Sequence, residues 1–213
     1  MLSQGVTGGI YAAGEVFLFL VKLNLLWIIG TVAGLLLFGF GPSTLAMCDV
    51  IRRWMRKEAD VPVWRTFWQQ YKTYFLRGNG LSLVFLFGAF MIFVNTTFFF
   101  VESAWVVIFV RYALFLVAAL LILTALYVFP ATVHFELTLL DSLKQSFFIA
   151  LYMPVRTLYM VAAVLTVYHI LFMFPVLIFL FGISLFCFIQ LYIVLGTFAK
   201  LETKQASMAA APV

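Results

Sequence analysis

Five long apolar segments limit what this chain can fold into. A helix needs about 20 mostly apolar residues to cross about 30 Å of hydrocarbon. Segments of roughly that length lie near residues 15–40, 81–101, 104–129, 158–174 and 176–197. Barrel strands would instead show ten-residue stretches of alternating polarity. The unbroken runs therefore predict an all-α fold, a polytopic transmembrane helical bundle of about five spans.

The composition excludes several classes of protein. Hydrophobic residues make up 66% of the 213 residues and charged residues 10%, whereas soluble domains have about half and a quarter. Too few charges are present to cover a soluble globule, which excludes an ordinary soluble enzyme and a disordered chain. We predict one membrane domain over residues 1–200 and a short flexible tail over 201–213. Residues 9–21 either cross the membrane or lie at its interface.

The basic residues predict an orientation. Seven of the thirteen lysines and arginines lie between the first two segments, and four more follow the third and fifth segments. With five crossings, these eleven residues share one side, which the positive-inside rule assigns to the cytoplasm. The N-terminus is then outside and the C-terminus inside. The net charge of +5 is thus interpreted as a topology signal, with no nucleic-acid partner.

The predicted cytoplasmic side carries two arms, residues 42–78 and 131–156. The first arm is expected to begin with an amphipathic helix that leaves the membrane at Pro42, a residue type that suits a first helical position. The charged side of that helix contains Arg52, Arg53 and Arg56.

A second helix of the first arm is predicted to start near Pro62. Its aromatic residues recur at i, i+3, i+4 and i+7, namely Trp64, Phe67, Trp68 and Tyr71. An aromatic stripe with basic neighbours favours the headgroup layer of a membrane. Two interpretations remain open: the helix only rests on the bilayer, or it is a docking surface for a partner.

A short repeat links the two arms. Pro42-Ser43-Thr44 and Pro130-Ala131-Thr132 both follow an apolar segment, and each proline is expected to end a span while the threonine starts the next helix. Two such units would form a parallel repeat of the kind seen in some transporters.

Polar residues inside apolar spans are functional candidates because burying them in hydrocarbon is costly. The candidates are Glu15, Lys22, Asn95, His169 and Gln190. Glu15 and Lys22 share a helix face and would pair or snorkel. For the other three, the alternatives are ordinary interhelical hydrogen bonds and, at His169, a proton or substrate path.

No catalytic constellation is recognised in the sequence. It has no phosphate-binding loop, no HExxH zinc motif and no GxSxG nucleophile motif. Cys48 and Cys187 form no CxxC pair and are interpreted as small apolar residues. We therefore predict a protein that is not an enzyme and has no catalytic residues, cofactor or metal.

Several stretches, taken together, resemble the YesL-like family of bacterial integral membrane proteins. They are Asn24-Leu25-Leu26-Trp27, Gly41-Pro42-Ser43-Thr44, Ile51-Arg52-Arg53-Trp54 and Thr66-Phe67-Trp68. The N-terminal Gly8-Gly9-Ile10-Tyr11 is similar to the opening of that family. The resemblance covers roughly residues 5–80.

What the resemblance implies is a context rather than a reaction. The family's biochemical function is largely unknown, and its members are often encoded beside ABC importers for plant-polysaccharide oligosaccharides. The resemblance thus implies a multi-pass protein of the bacterial cell membrane, an accessory to such an importer with its permease or ATPase subunits as partners. The alternative hypothesis is a small self-sufficient transporter or channel, which would have to act as a homo-oligomer because five spans enclose little volume.

Overall fold

The computed structural model describes residues 2–58, 62–98 and 105–209, and every regular element in these ranges is a helix. These ranges contain eight helices. They are α1 (Leu2–Ala33), α2 (Leu37–Met55), α3 (Val63–Thr73), α4 (Phe75–Phe98), α5 (Trp105–Phe135), α6 (Leu139–Tyr152), α7 (Pro154–Met173) and α8 (Pro175–Ala209).

Five of these helices, namely α1, α4, α5, α7 and α8, are long and apolar enough to cross a membrane. The prediction of an all-helical membrane protein with about five spans is thereby confirmed. The two last spans match α7 and α8 closely, and each of these helices begins with a proline, whose fixed φ suits a first helical turn. The orientation of the bundle across the membrane stays a prediction.

The first predicted span, residues 15–40, is wrong in its extent. Helix α1 ends at Ala33, and a turn with Leu35 at φ 55° and Leu36 at φ 66° sends the chain back along α1 as α2. Both leucines are exposed. Hydropathy cannot detect this turn because it contains no polar residue, and only Gly34, whose backbone meets Gly39 closely, marks the position.

Helix α2 is the centre of the fold and not an arm that leaves the membrane. Every residue from Gly41 to Ile51 is buried, and α1, α3, α4, α5 and α8 all pack on this helix. Small residues permit these close approaches: a Cβ on Gly30 would lie 2.6 Å from Ser43 Oγ, and one on Gly78 would lie 2.5 Å from Pro42 N. The close helix contacts at Gly30 and Gly34 are both made by α2.

Both prolines of the short repeat lie inside helices, so the prediction that each ends a span is wrong. Pro42 is within α2, and Pro130 is within α5, which continues to Phe135 instead of ending at 129. In each copy the following threonine hydroxyl donates to the carbonyl four residues earlier, Thr44 to Phe40 at 2.7 Å and Thr132 to Val128 at 2.6 Å. A membrane helix tolerates proline where neighbouring groups satisfy the backbone. The repeat is a local motif that lies in a buried stretch of α2 and in the buried C-terminal end of α5.

The remaining boundaries differ modestly from the prediction. Helix α3 starts directly after Pro62, as expected, whereas α4 begins at Phe75, inside the predicted arm of residues 42–78. Helix α6 lies in the second arm and starts at Leu139, directly after the N-cap residue Thr138, whose side chain accepts a hydrogen bond from the Asp141 backbone N–H. Helix α8 extends to Ala209, so most of the predicted flexible tail is helical.

Candidate functional site

The aromatic stripe of α3 is divided between the core and the surface. Phe67 is completely buried, and the buried Tyr71 hydroxyl donates to the Gly30 carbonyl oxygen at 3.1 Å. Burial also raises the pKa of Tyr71. The prediction of a headgroup-facing stripe is therefore wrong for these two residues, because the apolar side of α3 packs on α1 and α2 instead of on lipid.

The opposite side of α3 is exposed and is the first candidate site. Six side chains border one shallow depression there, and we name this surface the α3 outer face: Trp64, Arg65, Trp68, Gln69, Lys72 and Thr73. Trp64 is 62% exposed, and its ring centroid lies 6.1 Å from that of Trp68. Within the described parts of the chain, neither Arg65 nor Lys72 takes part in a salt bridge. The face combines indole rings with uncompensated positive charge.

A buried ionic cluster closes the C-terminal end of α2. Asp49, whose side chain is 1% exposed, accepts from Arg52 Nη2 at 2.8 Å and from Arg53 Nε at 2.6 Å. The hydrogen bond that Arg53 donates to Asp49 raises the pKa of Arg53, and Glu58 lies 3.9 Å from both guanidinium groups. The prediction of Arg52 as an interface residue is wrong, because its side chain is 12% exposed and its charge is used within the fold.

Arg56 also makes an internal contact. Its Nη2 atom lies 3.3 Å from Nδ1 of His134, near the end of α5. This contact links the ends of α2 and α5, so Arg56 is more than a solvent-facing charge.

The predicted intramembrane polar residues are not brought together. Asn95 is buried, and its Nδ2 donates to the Arg111 carbonyl oxygen at 3.4 Å, an ordinary contact between α4 and α5. His169 is exposed on α7, and Gln190 is half-buried on α8.

The charged pair in α1 is likewise not formed. Glu15 and Lys22 are both exposed, and the salt bridges found among the described side chains do not join them. Snorkelling is the interpretation that remains for these two residues.

Sequence reasoning missed the polar residue with the most extensive tertiary contacts. Asn24, 2% exposed, donates from Nδ2 to the Phe179 carbonyl oxygen at 2.7 Å, and its Oδ1 accepts from Ile183 N at 3.2 Å. Next to it, Trp27 Nε1 donates to Thr44 Oγ1 at 3.0 Å. An asparagine in the middle of an apolar span was the available signal.

The two cysteines meet in the core. Cys48 of α2 and Cys187 of α8 are both buried free thiols. A hydrogen bond with Cys187, together with burial, raises the pKa of Cys48. In the described ranges, no group of three or more histidine, cysteine, aspartate or glutamate residues is placed to hold a metal ion.

These features define an all-helical integral membrane protein built around a buried central helix, with an exposed aromatic and basic face on a short peripheral helix. The chain belongs to the DUF624 family: residues 20–96 match the family described as "Protein of unknown function, DUF624". The predicted resemblance to YesL-like proteins is confirmed.

Three similar proteins are from Bacillus subtilis (strain 168). Uncharacterized protein YesV is 33% identical over 199 residues, which covers 93% of this chain and 96% of the relative. Uncharacterized protein YteU is 31% identical over 84% of this chain and 80% of the relative. Uncharacterized protein YesL is 33% identical over 72% of this chain and 75% of the relative. No solved structure matches the chain.

The family match extends from α1 to α4, and each contact of the candidate site described above includes at least one residue of this region. The stretches that carried the resemblance contain Asn24, Trp27, Gly41, Arg53 and Phe67. In the structure, these residues pack helices together or hold the ionic cluster. The presence of these stretches therefore has a structural explanation in the packing of the helices.

Proposed function

We propose that this protein is an accessory subunit of a carbohydrate ABC importer in the bacterial plasma membrane, and that it docks a permease or ATPase subunit through the α3 outer face. The single observation that supports docking is the exposed Trp64, next to the half-buried Trp68 and beside Arg65 and Lys72 on the free side of α3. The importer context comes from the family resemblance. In this proposal the chain acts without catalysing a reaction.

The chemistry of the α3 outer face suits a protein partner. Tryptophan and arginine are enriched among residues that dominate binding energy at interfaces. Arg65 and Lys72 supply positive charge that would steer an acidic surface toward the two indole rings. Because Phe67 and Tyr71 anchor the other side of α3 to the core, the face is held on a rigid support, which lowers the entropy lost on binding.

The alternative of a self-sufficient transporter has less support. The two buried asparagines of the spans serve pairwise contacts between helices, Asn24 with α8 and Asn95 with α5. We therefore favour the accessory role.

Co-purification tests the proposal. The tagged full-length protein is expressed in its own host and isolated in mild detergent, and the associated subunits are identified by mass spectrometry. A variant of the α3 outer face, Trp64→Ala with Arg65→Glu and Lys72→Glu, is expected to recover about thirtyfold less importer subunit, because hot-spot residues contribute about 2 kcal/mol or more.

The matched control carries the same kinds of change on another peripheral helix. Leu140→Ala with Lys144→Glu alters two exposed side chains of α6 and is expected to leave recovery unchanged. If the unaltered protein brings down no importer subunit, or if both variants behave alike, the proposed function is rejected. Equal thermal unfolding midpoints of the three proteins show that differences in recovery do not come from misfolding.

A further inference from the structure

The first and last helices of the bundle run in opposite directions. Asn24 Oδ1 on α1 accepts a hydrogen bond from the backbone N–H of Ile183 on α8 at 3.2 Å. Five residues earlier on α1, the ring centroid of Phe19 lies 4.9 Å from that of Trp54. The same Trp54 ring lies 6.1 Å from Phe188, which is five residues later on α8. The contacts thus move toward the start of α1 as they move toward the end of α8.

This antiparallel pair limits how often the chain can cross the membrane. Residues Tyr11–Ala33 of α1 and Pro175–Gly196 of α8 are each long and apolar enough to cross. When the first and the last span run in opposite directions, both ends of the chain lie on the same side. Five alternating crossings would place the two ends on opposite sides. The five long apolar helices therefore need one more reversal of the chain.

Helix α2 provides this reversal, because it returns along α1 after the turn at residues 34–36. Near the turn, Trp27 Nε1 donates to Thr44 Oγ1 at 3.0 Å. Near the other end of α2, Trp54 stacks on Phe19. The 19 residues of α2 make a helix about 28 Å long, which is close to the about 30 Å of a hydrocarbon layer. Its central residues are buried by other helices, so hydropathy alone does not identify α2 as half of a membrane hairpin.

Helix α4 begins on the side of the membrane where α2 ends. A Cβ on Gly78, near the start of α4, would lie 2.5 Å from Pro42 N. About two turns later, Leu86 lines the same cavity as Leu37, the first residue of α2. Helices α4 and α2 are therefore antiparallel, and the connection that contains α3 belongs to the side where α2 ends. From there α4, α5, α7 and α8 cross in alternation and return the chain to the same side.

The basic residues identify this side as the cytoplasm. Eleven of the thirteen lysines and arginines belong to the connections and the chain end on this side. Lys22 joins them when α1 also begins there: it is exposed, and it is three residues from Phe19, which stacks on Trp54 beside Arg53. Its side chain can snorkel to the same interface. Twelve of the thirteen basic residues then follow the positive-inside rule, and Arg111 is the exception.

We propose that both termini of the protein lie in the cytoplasm, and that α1 and α2 form a hairpin that enters and leaves the membrane from the cytoplasmic side. This arrangement differs from the outside N-terminus expected from five crossings. Neither the importer context nor the docking of a partner is needed for it. The ionic cluster around Asp49 and the α3 outer face are then presented to cytoplasmic partners, whereas the turn between α7 and α8 faces the outside.

Cysteine labelling in sealed spheroplasts tests the arrangement. Single cysteines are introduced near the two ends of the full chain, as Ser3→Cys and Val213→Cys, and a membrane-impermeant maleimide is added before or after permeabilisation. Both variants are expected to show no labelling in sealed spheroplasts and full labelling after permeabilisation. The native Cys48 and Cys187 are buried free thiols and should remain unlabelled in both conditions.

Two matched variants calibrate the labelling. Ser103→Cys, in the connection between α4 and α5, should be labelled in sealed spheroplasts. Thr73→Cys, at an exposed position on α3, should be labelled only after permeabilisation. Labelling of Ser3→Cys in sealed spheroplasts, different accessibility of the two chain ends, or labelling of Thr73→Cys before permeabilisation would each overturn the proposal.

Reporter fusions decide the question if a terminal cysteine is unreactive in both conditions. Green fluorescent protein fused before Met1 is expected to fluoresce, because it then folds in the cytoplasm. Alkaline phosphatase fused at the same position is expected to be inactive, because its disulfides form only outside the reducing cytoplasm. An active phosphatase together with a dark fluorescent protein would place the N-terminus outside and reject the hairpin.

Discussion

The amide of Asn24 on α1 binds the backbone of α8 from both of its polar atoms: Nδ2 donates to the Phe179 carbonyl oxygen at 2.7 Å, while Oδ1 accepts from the backbone N–H of Ile183 at 3.2 Å. The two helices are 155 residues apart in the chain at this contact. The contact does not depend on the neighbouring glycine, because a Cβ on Gly182 would lie 4.0 Å from Asn24 Oδ1, an ordinary contact distance. Asn24 thus joins the first and last helices of the bundle.

Replacing Asn24 by leucine is expected to lower the free energy of unfolding by about 1 kcal/mol, the usual scale of a hydrogen bond between membrane helices. The measurement is an unfolding titration with SDS in mixed micelles. Asn95→Leu is the control, because Asn95 makes one longer contact at 3.4 Å and leaves its Oδ1 unpaired. An effect of equal size at both positions would argue against a special role for Asn24.

Gly78 is where the backbones of α4 and α2 approach most closely. A Cβ at this position would lie 2.5 Å from Pro42 N, and a backbone atom cannot move aside as a side chain can. We expect Gly78→Ala to destabilise the protein by about 3 kcal/mol, although alanine favours helices over glycine. Gly14→Ala, whose new methyl group meets nothing within 4 Å, should be neutral or stabilising. A stable Gly78→Ala protein would disprove this close approach.

Neutralising Asp49 leaves the guanidinium of Arg52 buried without its partner. Removing one member of a buried ion pair typically costs about 3–5 kcal/mol, and we expect Asp49→Asn to fall in this range when thermal unfolding is followed in detergent. Glu58 is 41% exposed and lies 3.9 Å from both arginines, so Glu58→Gln should change stability by about 1 kcal/mol or less. The prediction fails if Glu58 proves the more costly residue to neutralise.

Cys48 and Cys187 are expected to resist N-ethylmaleimide in the folded protein and to react fully after denaturation in SDS. Their exposed fractions are 0% and 2%. The raised pKa of Cys48 also keeps its thiol protonated to higher pH than an ordinary cysteine. Raising the pH from 7 to 9 should therefore accelerate labelling much less in the folded chain than in the unfolded one. A cysteine at exposed position 73 (Thr73→Cys) serves as the reactive control. Rapid labelling of the native thiols without denaturant would show that α2 does not pack on α8 as described.

Hydropathy predicted the later spans well because their ends carry explicit signals. Pro154 and Pro175 mark the starts of α7 and α8, and both helices match the predicted spans to within a few residues at these ends. The predicted end of the first span was wrong because no such signal is present there. The turn at residues 34–36 is made of glycine and leucine, and a window that counts only apolar residues passes through it.

The candidate site was predicted in part. Spacing correctly grouped the aromatic residues of α3, but periodicity alone cannot tell whether lipid, water or another helix covers a face. Phe67 and Tyr71 became core residues, while Trp64 and Lys72 remained exposed. Arg52 was predicted to be an exposed interface residue, whereas in the folded protein its side chain is paired with the buried Asp49.

The amino-acid composition and the lengths of the apolar runs were enough to identify a helical membrane protein, because only long apolar helices satisfy their backbone hydrogen bonds in hydrocarbon. Local patterns were also enough for the helical character of α3 and for the family. The packing of the helices was needed to learn that α2 is the buried centre and that Asn24 reaches α8. These facts arise from contacts between residues far apart in the chain. At such contacts, the positions of glycines determine how closely two helices approach. No local property of the sequence shows which helices become neighbours.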